Sequence, residues 1–203
     1  MQLITCGRND ANNCDILNMM FAARKSVFVD LLGWELALRD DRYEIDQFDD
    51  LQARYLVITC NGRHAASTRL LPTTRPHILD TLFSHLCEEP VPTGPAVLEI
   101  TRFCLDRVQH SVKRRAARDF LVTALVDYAM VQAVKTFTGV AEAGWFEQFS
   151  KFGWLCRALA QPQQLGPKTL IPFRIDVDAN IVERMMATGI YARTAPRPTG
   201  MAA

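Results

Sequence analysis

Residues 97–141 constrain the fold more than any other part of the chain. A strand-like run at 97–105 is followed by a long helical stretch, 113–137, apolar on most sides, and then by a second strand-like run at 138–141. A helix that is apolar nearly all the way round has to lie buried against a sheet. Strand, covering helix and strand together read as the right-handed crossover that joins parallel neighbours. The expected class is therefore α/β, with α+β as the alternative: a single three-layer domain with a mixed twisted sheet, over residues 1–193. Residues 194–203 read as a flexible C-terminal tail.

The other elements fit around that unit. Residues 1–6 read as a first strand. Residues 12–30 read as an amphipathic helix through Ile16, Met19, Met20, Ala23 and Val27. Runs at 55–59 and 64–71 flank Asn61-Gly62, the strongest short-range hairpin signal. Five prolines between 72 and 95 bracket a helical piece at 79–86. A short helix at 145–152, strands at 154–160 and 169–177, and a last helix at 179–187 complete the reading.

Several function classes are excluded. The densest apolar stretch, 120–134, is interrupted by Thr123, Asp127 and Gln132, so no membrane span is expected. Arg8, Asn9 and Asp10 fall where an export signal would be apolar, which points to a cytoplasmic protein. The six cysteines are scattered without a CxxC pair, and no metal site is expected. A net charge of +1 predicts no nucleic-acid partner. His64, His77, His85 and His110 lie in no nucleophile–base motif and receive no catalytic role. Ser26, Ser67 and Ser111 lack the G-x-S-x-G setting of a hydrolase nucleophile.

The charged residues are less ordinary. Residues 39–50 form an acidic stretch in which Asp46 and Asp49 sit among Tyr43, Ile45 and Phe48. A merely solvated loop, the plain alternative, does not need those aromatics. Glu99 and Arg102 lie inside the strand-like run, where buried charge must be paired. Positions three apart on a regular strand face opposite sides, so serving one site together would take a bulge. The alternative is an edge strand with a surface pair. Arg24 and Phe28 share a helix face. Arg24, Arg69 and Arg102 can together neutralise Asp46, Asp49 and Glu99. Lys113, Arg114, Arg115 and Arg118 crowd a helix start, where cations oppose the helix dipole. They suit an anion docking there, or else a solvated helix start.

In order and spacing, these residues resemble the acyl-homoserine lactone synthases, the LuxI-type autoinducer synthases. The resemblance rests on Arg24, Phe28 and Trp34 (R-x3-F-x5-W), Glu44, Asp46 and Asp49 (E-x-D-x2-D), and Arg69 before Leu70, Leu71 and Pro72. It also rests on Glu99 and Arg102 in LEITRF and on Phe152-Gly153-Trp154, and it spans residues 1–190. It implies an N-acetyltransferase-like fold and an acyltransferase that joins a thioester-borne acyl group to the amine of S-adenosylmethionine. Lactone closure then releases methylthioadenosine. S-adenosylmethionine is a substrate, and no cofactor is implied.

Site roles follow from that resemblance. Glu99, then Asp46, are the candidate bases for the amine, with Arg102 as the third catalytic candidate. Arg24, Phe28, Trp34, Asp46, Asp49, Arg69 and Arg102 are expected to hold S-adenosylmethionine, the aromatics facing adenine and sulfonium. Phe83, Ile100, Leu121, Val122, Leu125, Gly144, Trp145 and Phe149 are candidates for an acyl pocket. Relatives that take 3-oxo chains carry a hydroxyl residue just before the short helix, where this chain has Val140, Glu142 and Gly144. Lys113, Arg114, Arg115 and Arg118 are assigned to the acyl donor, acyl carrier protein or acyl-coenzyme A. Two rival readings are an N-acyltransferase of the same fold acting on another small amine and a non-catalytic acyl-donor-binding module.

Overall fold

The computed structural model describes residues 1–36 and 38–191. In chain order, the strands are β1 (Gln2–Gly7), β2 (Leu38–Arg39), β3 (Tyr43–Glu44), β4 (Arg54–Cys60), β5 (Arg63–Pro72), β6 (Val97–Leu105), β7 (Thr136–Glu142), β8 (Leu155–Ala158), β9 (Gln163–Leu165) and β10 (Lys168–Asp176). The helices are α1 (Cys14–Arg24), α2 (Ile78–Leu82), α3 (Ser111–Val131), α4 (Ala143–Phe149) and α5 (Ile181–Ala187). The expected tail, 194–203, lies outside the described residues.

Two compact units divide the chain: Met1–Leu70 with Arg102–Ala124, and Leu71–Thr101 with the described residues from Leu125 onward. In the first unit β1, β4 and β5 are antiparallel neighbours. The β4–β5 hairpin turns through Asn61 and Gly62, both left-handed at φ 52° and 73°. Two consecutive positive φ values match the right-handed twist of the flanking strands, and asparagine and glycine tolerate them with least strain. The sequence Tyr55-Leu-Val-Ile-Thr59 is buried at every position, as expected of a strand covered on both faces. Phe21 of α1 packs edge-on against Tyr55 at 5.9 Å.

In the second unit β6 and β7 are parallel, Val97 to Glu99 against Thr136 to Thr138, as the crossover reading requires. β7 pairs antiparallel with β10, which also pairs with β8 and β9, so the sheet is mixed. Gly139 follows the parallel ladder. A Cβ there would fall 2.8 Å from the Ile100 carbonyl oxygen and 3.0 Å from the Phe173 ring, so only glycine fits. Phe149 packs on Phe173 at 4.8 Å and takes the Trp154 indole N–H on its carbonyl at 2.7 Å.

Several boundaries differ from the sequence reading. The first helix ends at Arg24 and continues as a π-helical turn, Lys25–Leu31. The helix expected over 113–137 stops at Val131, because Ala133 turns left-handed (φ 55°) and β7 already starts at Thr136. The 79–86 piece divides into α2 and a 3-10 turn, Ser84–Leu86. The acidic stretch contains the small β2–β3 hairpin, whose turn uses left-handed Asp40 and Asp41.

His64 shows what burial does to a titratable group here. Its Nε2 lies 2.9 Å from Ser67 Oγ, its Nδ1 has no partner among the described residues, and burial pushes its pKa down to about 4. Between that value and the ordinary 6.5, the unfolded chain binds a proton that the folded chain refuses. Stability should therefore fall as pH drops from 6.5 towards 4. Thermal melts of H64Q are expected to lose part of that dependence.

Candidate functional site

Arg24 ends α1 and is 1% exposed. Its Nη1 and Nη2 donate to the two Asp49 carboxylate oxygens at 2.8 and 2.9 Å, while Nε donates to Glu44. Arg69, on β5, donates from Nη1 and Nη2 to Asp46 at 2.6 and 3.0 Å, and its Nη1 lies 2.8 Å from Asp49 Oδ1. Arg102, on β6, donates to Glu44 Oε1 at 3.0 Å and to Asp46 Oδ2 at 2.8 Å. Each arginine thus bridges two carboxylates, and each carboxylate bridges two arginines. The result is a closed alternating ring: Arg24, Glu44, Arg102, Asp46, Arg69, Asp49.

Three positive and three negative charges balance, which is what permits their burial. Burial alone would raise Asp49, but the charges and hydrogen bonds of Arg24 and Arg69 outweigh it and hold the carboxyl well below its usual range. The same contest leaves the Arg69 guanidinium above its ordinary value, burial opposing and Asp49 and Asp46 prevailing. Tyr55 donates its hydroxyl to Asp49 at 2.9 Å, and burial together with that carboxylate pushes the phenol up. Backbone bonds fix the acidic segment as well: Asp46 N–H to Asp49 and Phe48 N–H to Asp46.

The ring has one open edge. Side chains of Asp46 and Arg102 are each 11% exposed, whereas those of Arg24, Arg69, Glu44 and Asp49 are at most 1%. Beside that edge Phe28 lies 5.9 Å below the Arg102 guanidinium and stacks on Trp34 at 4.9 Å, 19° from parallel. Phe28 is brought there from the π-helical turn. Arg102 itself has φ 52°, a left-handed conformation inside β6 that few residues other than glycine adopt.

Glu99 is not in the ring. It is fully buried in the second unit and accepts the Ile78 and Leu79 backbone N–H groups at 2.8 Å each, at the start of α2. The third carboxylate is Glu44, which the sequence placed in the motif but not among the neutralising acids. Tyr55 is read from sequence only as the start of a hairpin strand. A signal for Glu44 existed: it stands two residues from Asp46 and five from Asp49 beside aromatics.

The remaining candidates divide between the units. Leu121 and Val122 are buried on α3 in the first unit, and Leu125 is buried in the second. Ile100 and Phe149 are buried in the second unit, where Phe83 and Trp145 are half-buried and Gly144 is exposed. Trp145 packs on Phe149 at 5.7 Å. Lys113, Arg114 and Arg115 are exposed at the start of α3, and Arg118 pairs with Asp119. Among the described residues no group of His, Cys, Asp and Glu could hold a metal ion, and no helix is long and apolar enough to cross a membrane.

Comparison with known proteins gives a consistent result. Residues 8–185 match the autoinducer synthase family. The chain is 33% identical to an acyl-homoserine-lactone synthase of Rhizobium etli over 146 residues, 70% of this chain and 68% of that one. It superposes with TM-score 0.77 and 28% identity on TofI, solved in a ternary complex with an inhibitor and MTA, covering 92% and 97% of the two chains. A putative N-acetyltransferase from Lactobacillus plantarum shares the fold at TM-score 0.56 and 16% identity, over 88% of this chain and all of that one.

Asp49→Asn would leave Arg24 and Arg69 short of a buried counter-charge. The expected loss is about 3–5 kcal/mol of unfolding free energy, read by urea denaturation. A loss below about 1 kcal/mol, the range of a surface pair, would contradict the ring's structural weight.

Proposed function

The chain belongs to the autoinducer synthase family, and from that premise we infer that it makes an acyl-homoserine lactone from S-adenosylmethionine and an acyl thioester. The observation that carries the site assignment is the ring and its open Asp46–Arg102 edge. S-adenosylmethionine carries an ammonium, a carboxylate and a sulfonium. Asp46 suits the cationic groups and Arg102 the carboxylate, both through charge-assisted hydrogen bonds. The Phe28–Trp34 stack beside them offers an aromatic face to adenine or sulfonium. Arg24, Arg69 and Asp49 act behind these groups by fixing their geometry.

The thioester is assigned to the second unit. The β6–β7 ladder stops at Glu99 and Thr138, although β7 runs on to Glu142. Strands that stop pairing leave backbone groups for the amides of a donor's pantetheine arm. Phe83, Ile100, Leu125, Trp145 and Phe149 supply apolar surface for the acyl chain. Lys113, Arg114 and Arg115 are assigned to the anionic part of the donor, a carrier protein or coenzyme A.

The reaction then runs in two displacements. The ammonium loses a proton, its nitrogen attacks the thioester carbon, the C–N bond forms and the C–S bond breaks. The leaving thiolate takes up a proton. The methionine carboxylate next attacks the carbon bearing the sulfonium, closing the lactone as neutral methylthioadenosine departs. Glu99, the first candidate base, is assigned the removal of the ammonium proton, directly or through water.

The direct test is donor-dependent release of methylthioadenosine with mass detection of the lactone, using matched carrier-protein and coenzyme A thioesters. No release across a broad panel of donors would overturn this reading in favour of an acyltransferase for another amine or a binding module. Glu99→Ala should lower kcat by about 10²–10⁴ with the S-adenosylmethionine Kd unchanged by calorimetry. Reversing Arg114 and Arg115 to Glu should raise the donor KM and flatten its salt dependence, leaving S-adenosylmethionine binding intact. Unaltered donor kinetics would remove that face from the donor site.

A further inference from the structure

Six aromatic rings in the second unit form one connected cluster. Trp145, Phe146 and Phe149 come from α4, Phe152 and Trp154 from the bend that follows it, and Phe173 from β10. The chain has 11 Phe and 3 Trp, so six of those fourteen are concentrated here. Phe149 is the hub. Its ring centroid lies 5.7 Å from that of Trp145, 5.4 Å from Phe146, 6.1 Å from Trp154 and 4.8 Å from Phe173. Phe149, Phe152, Trp154 and Phe173 are all buried. Thr138 fixes the Phe173 backbone as well, donating its hydroxyl to the carbonyl oxygen at 2.9 Å. Rings interlocked in this way leave a close-packed wall that yields little to an added group.

The wall begins where β6 and β7 stop pairing. Their ladder ends at Glu99 and Thr138, and the next residue of β7, Gly139, stands directly opposite Phe173. A Cβ on Gly139 would meet the Ile100 carbonyl oxygen at 2.8 Å and the Phe173 ring at 3.0 and 3.2 Å. The Phe173 ring therefore lies over Gly139, in the volume a side chain at that position would take. A strand advances about 3.3 Å per residue, so ring carbon begins within one residue of the end of the ladder. An acyl chain laid along Ile100 at this point reaches Phe173 within a few methylenes, and Phe149 packs behind it.

We propose that Phe173, backed by Phe149, sets the length of the acyl group and closes the site to all but short chains. This deepens the synthase reading and rests on it, in particular on the assignment of the thioester to the second unit. Phe173 touches the end of the acyl chain in this scheme and none of the reacting atoms, so it determines specificity alone. One methylene that fits an apolar pocket, or fails to, changes kcat/KM by about 10–200-fold. The bulk of the ring is then enough to reject a long chain without any polar contact.

The test measures kcat/KM of the full-length enzyme for straight-chain thioesters from butanoyl to dodecanoyl, on coenzyme A and on carrier protein, with the lactones detected by mass. Wild type should use butanoyl or hexanoyl best and lose at least about tenfold by decanoyl. F173L and F149L keep an apolar core while removing ring volume, and F173A and F149A remove more. Each should move the optimum to a longer chain. Decanoyl should gain about tenfold or more over wild type and butanoyl should fall, with the S-adenosylmethionine Kd unchanged by calorimetry. A role confined to core packing would lower every donor by the same factor and keep the order of chain lengths. That result, in variants whose melts remain cooperative, would overturn the proposal. So would a wild type that prefers decanoyl or dodecanoyl to hexanoyl, although the lactone it made would leave the synthase reading standing. A wild-type enzyme that forms no lactone from any donor would overturn both.

Discussion

Every member of the buried charge ring depends on two others, and the first unit is organised by that dependence. The ring draws its arginines from α1, β5 and β6 and its carboxylates from one short acidic segment. A segment rich in aspartate would otherwise remain in water. Three guanidiniums with two-pronged geometry hold it down, a geometry lysine could not reproduce. Tyr55 and two backbone N–H groups take up further lone pairs, so few of the desolvated acceptors go unused. Buried ion pairs add no stability over an apolar core of the same volume in most measured cases. What the arrangement secures is a fixed spacing at its single open edge.

Much of the fold was legible because its signals are local. Asn61-Gly62 encodes its own turn, and the Val97, α3, Thr136 sequence carries a strand-helix-strand pattern that permits few topologies. What escaped reading depends on contacts distant in sequence. Nothing in Lys25–Leu31 announces a π-helical turn, because the reason for it is where Phe28 must lie. Strands of two or three residues, such as β2, β3 and β9, are too short for any period to register.

The site was half legible for a similar reason. Arginines in apolar surroundings declare that they need partners, and Arg24, Arg69 and Arg102 proved to share one set. Which carboxylates they find is a three-dimensional question. Glu99 stood three residues from Arg102 and looked like its natural mate, yet its hydrogen bonds go to the start of α2, and Glu44 fills the place instead.

The β4–β5 hairpin has a consequence for the order in which the chain can be assembled. Its register sets Tyr55 directly opposite Arg69, so a two-residue turn brings two groups around Asp49 side by side. Asp46 and Asp49 lie only a few residues upstream, and closing so short a loop sacrifices little chain entropy. Arg102 must come from thirty residues beyond the hairpin's last residue, Pro72, across a far larger loop. The least demanding route therefore builds the acidic segment onto the hairpin first and adds the distant arginine last. A slip of one residue at Asn61-Gly62 would turn Arg69 to the other face and leave the later arrivals without a template.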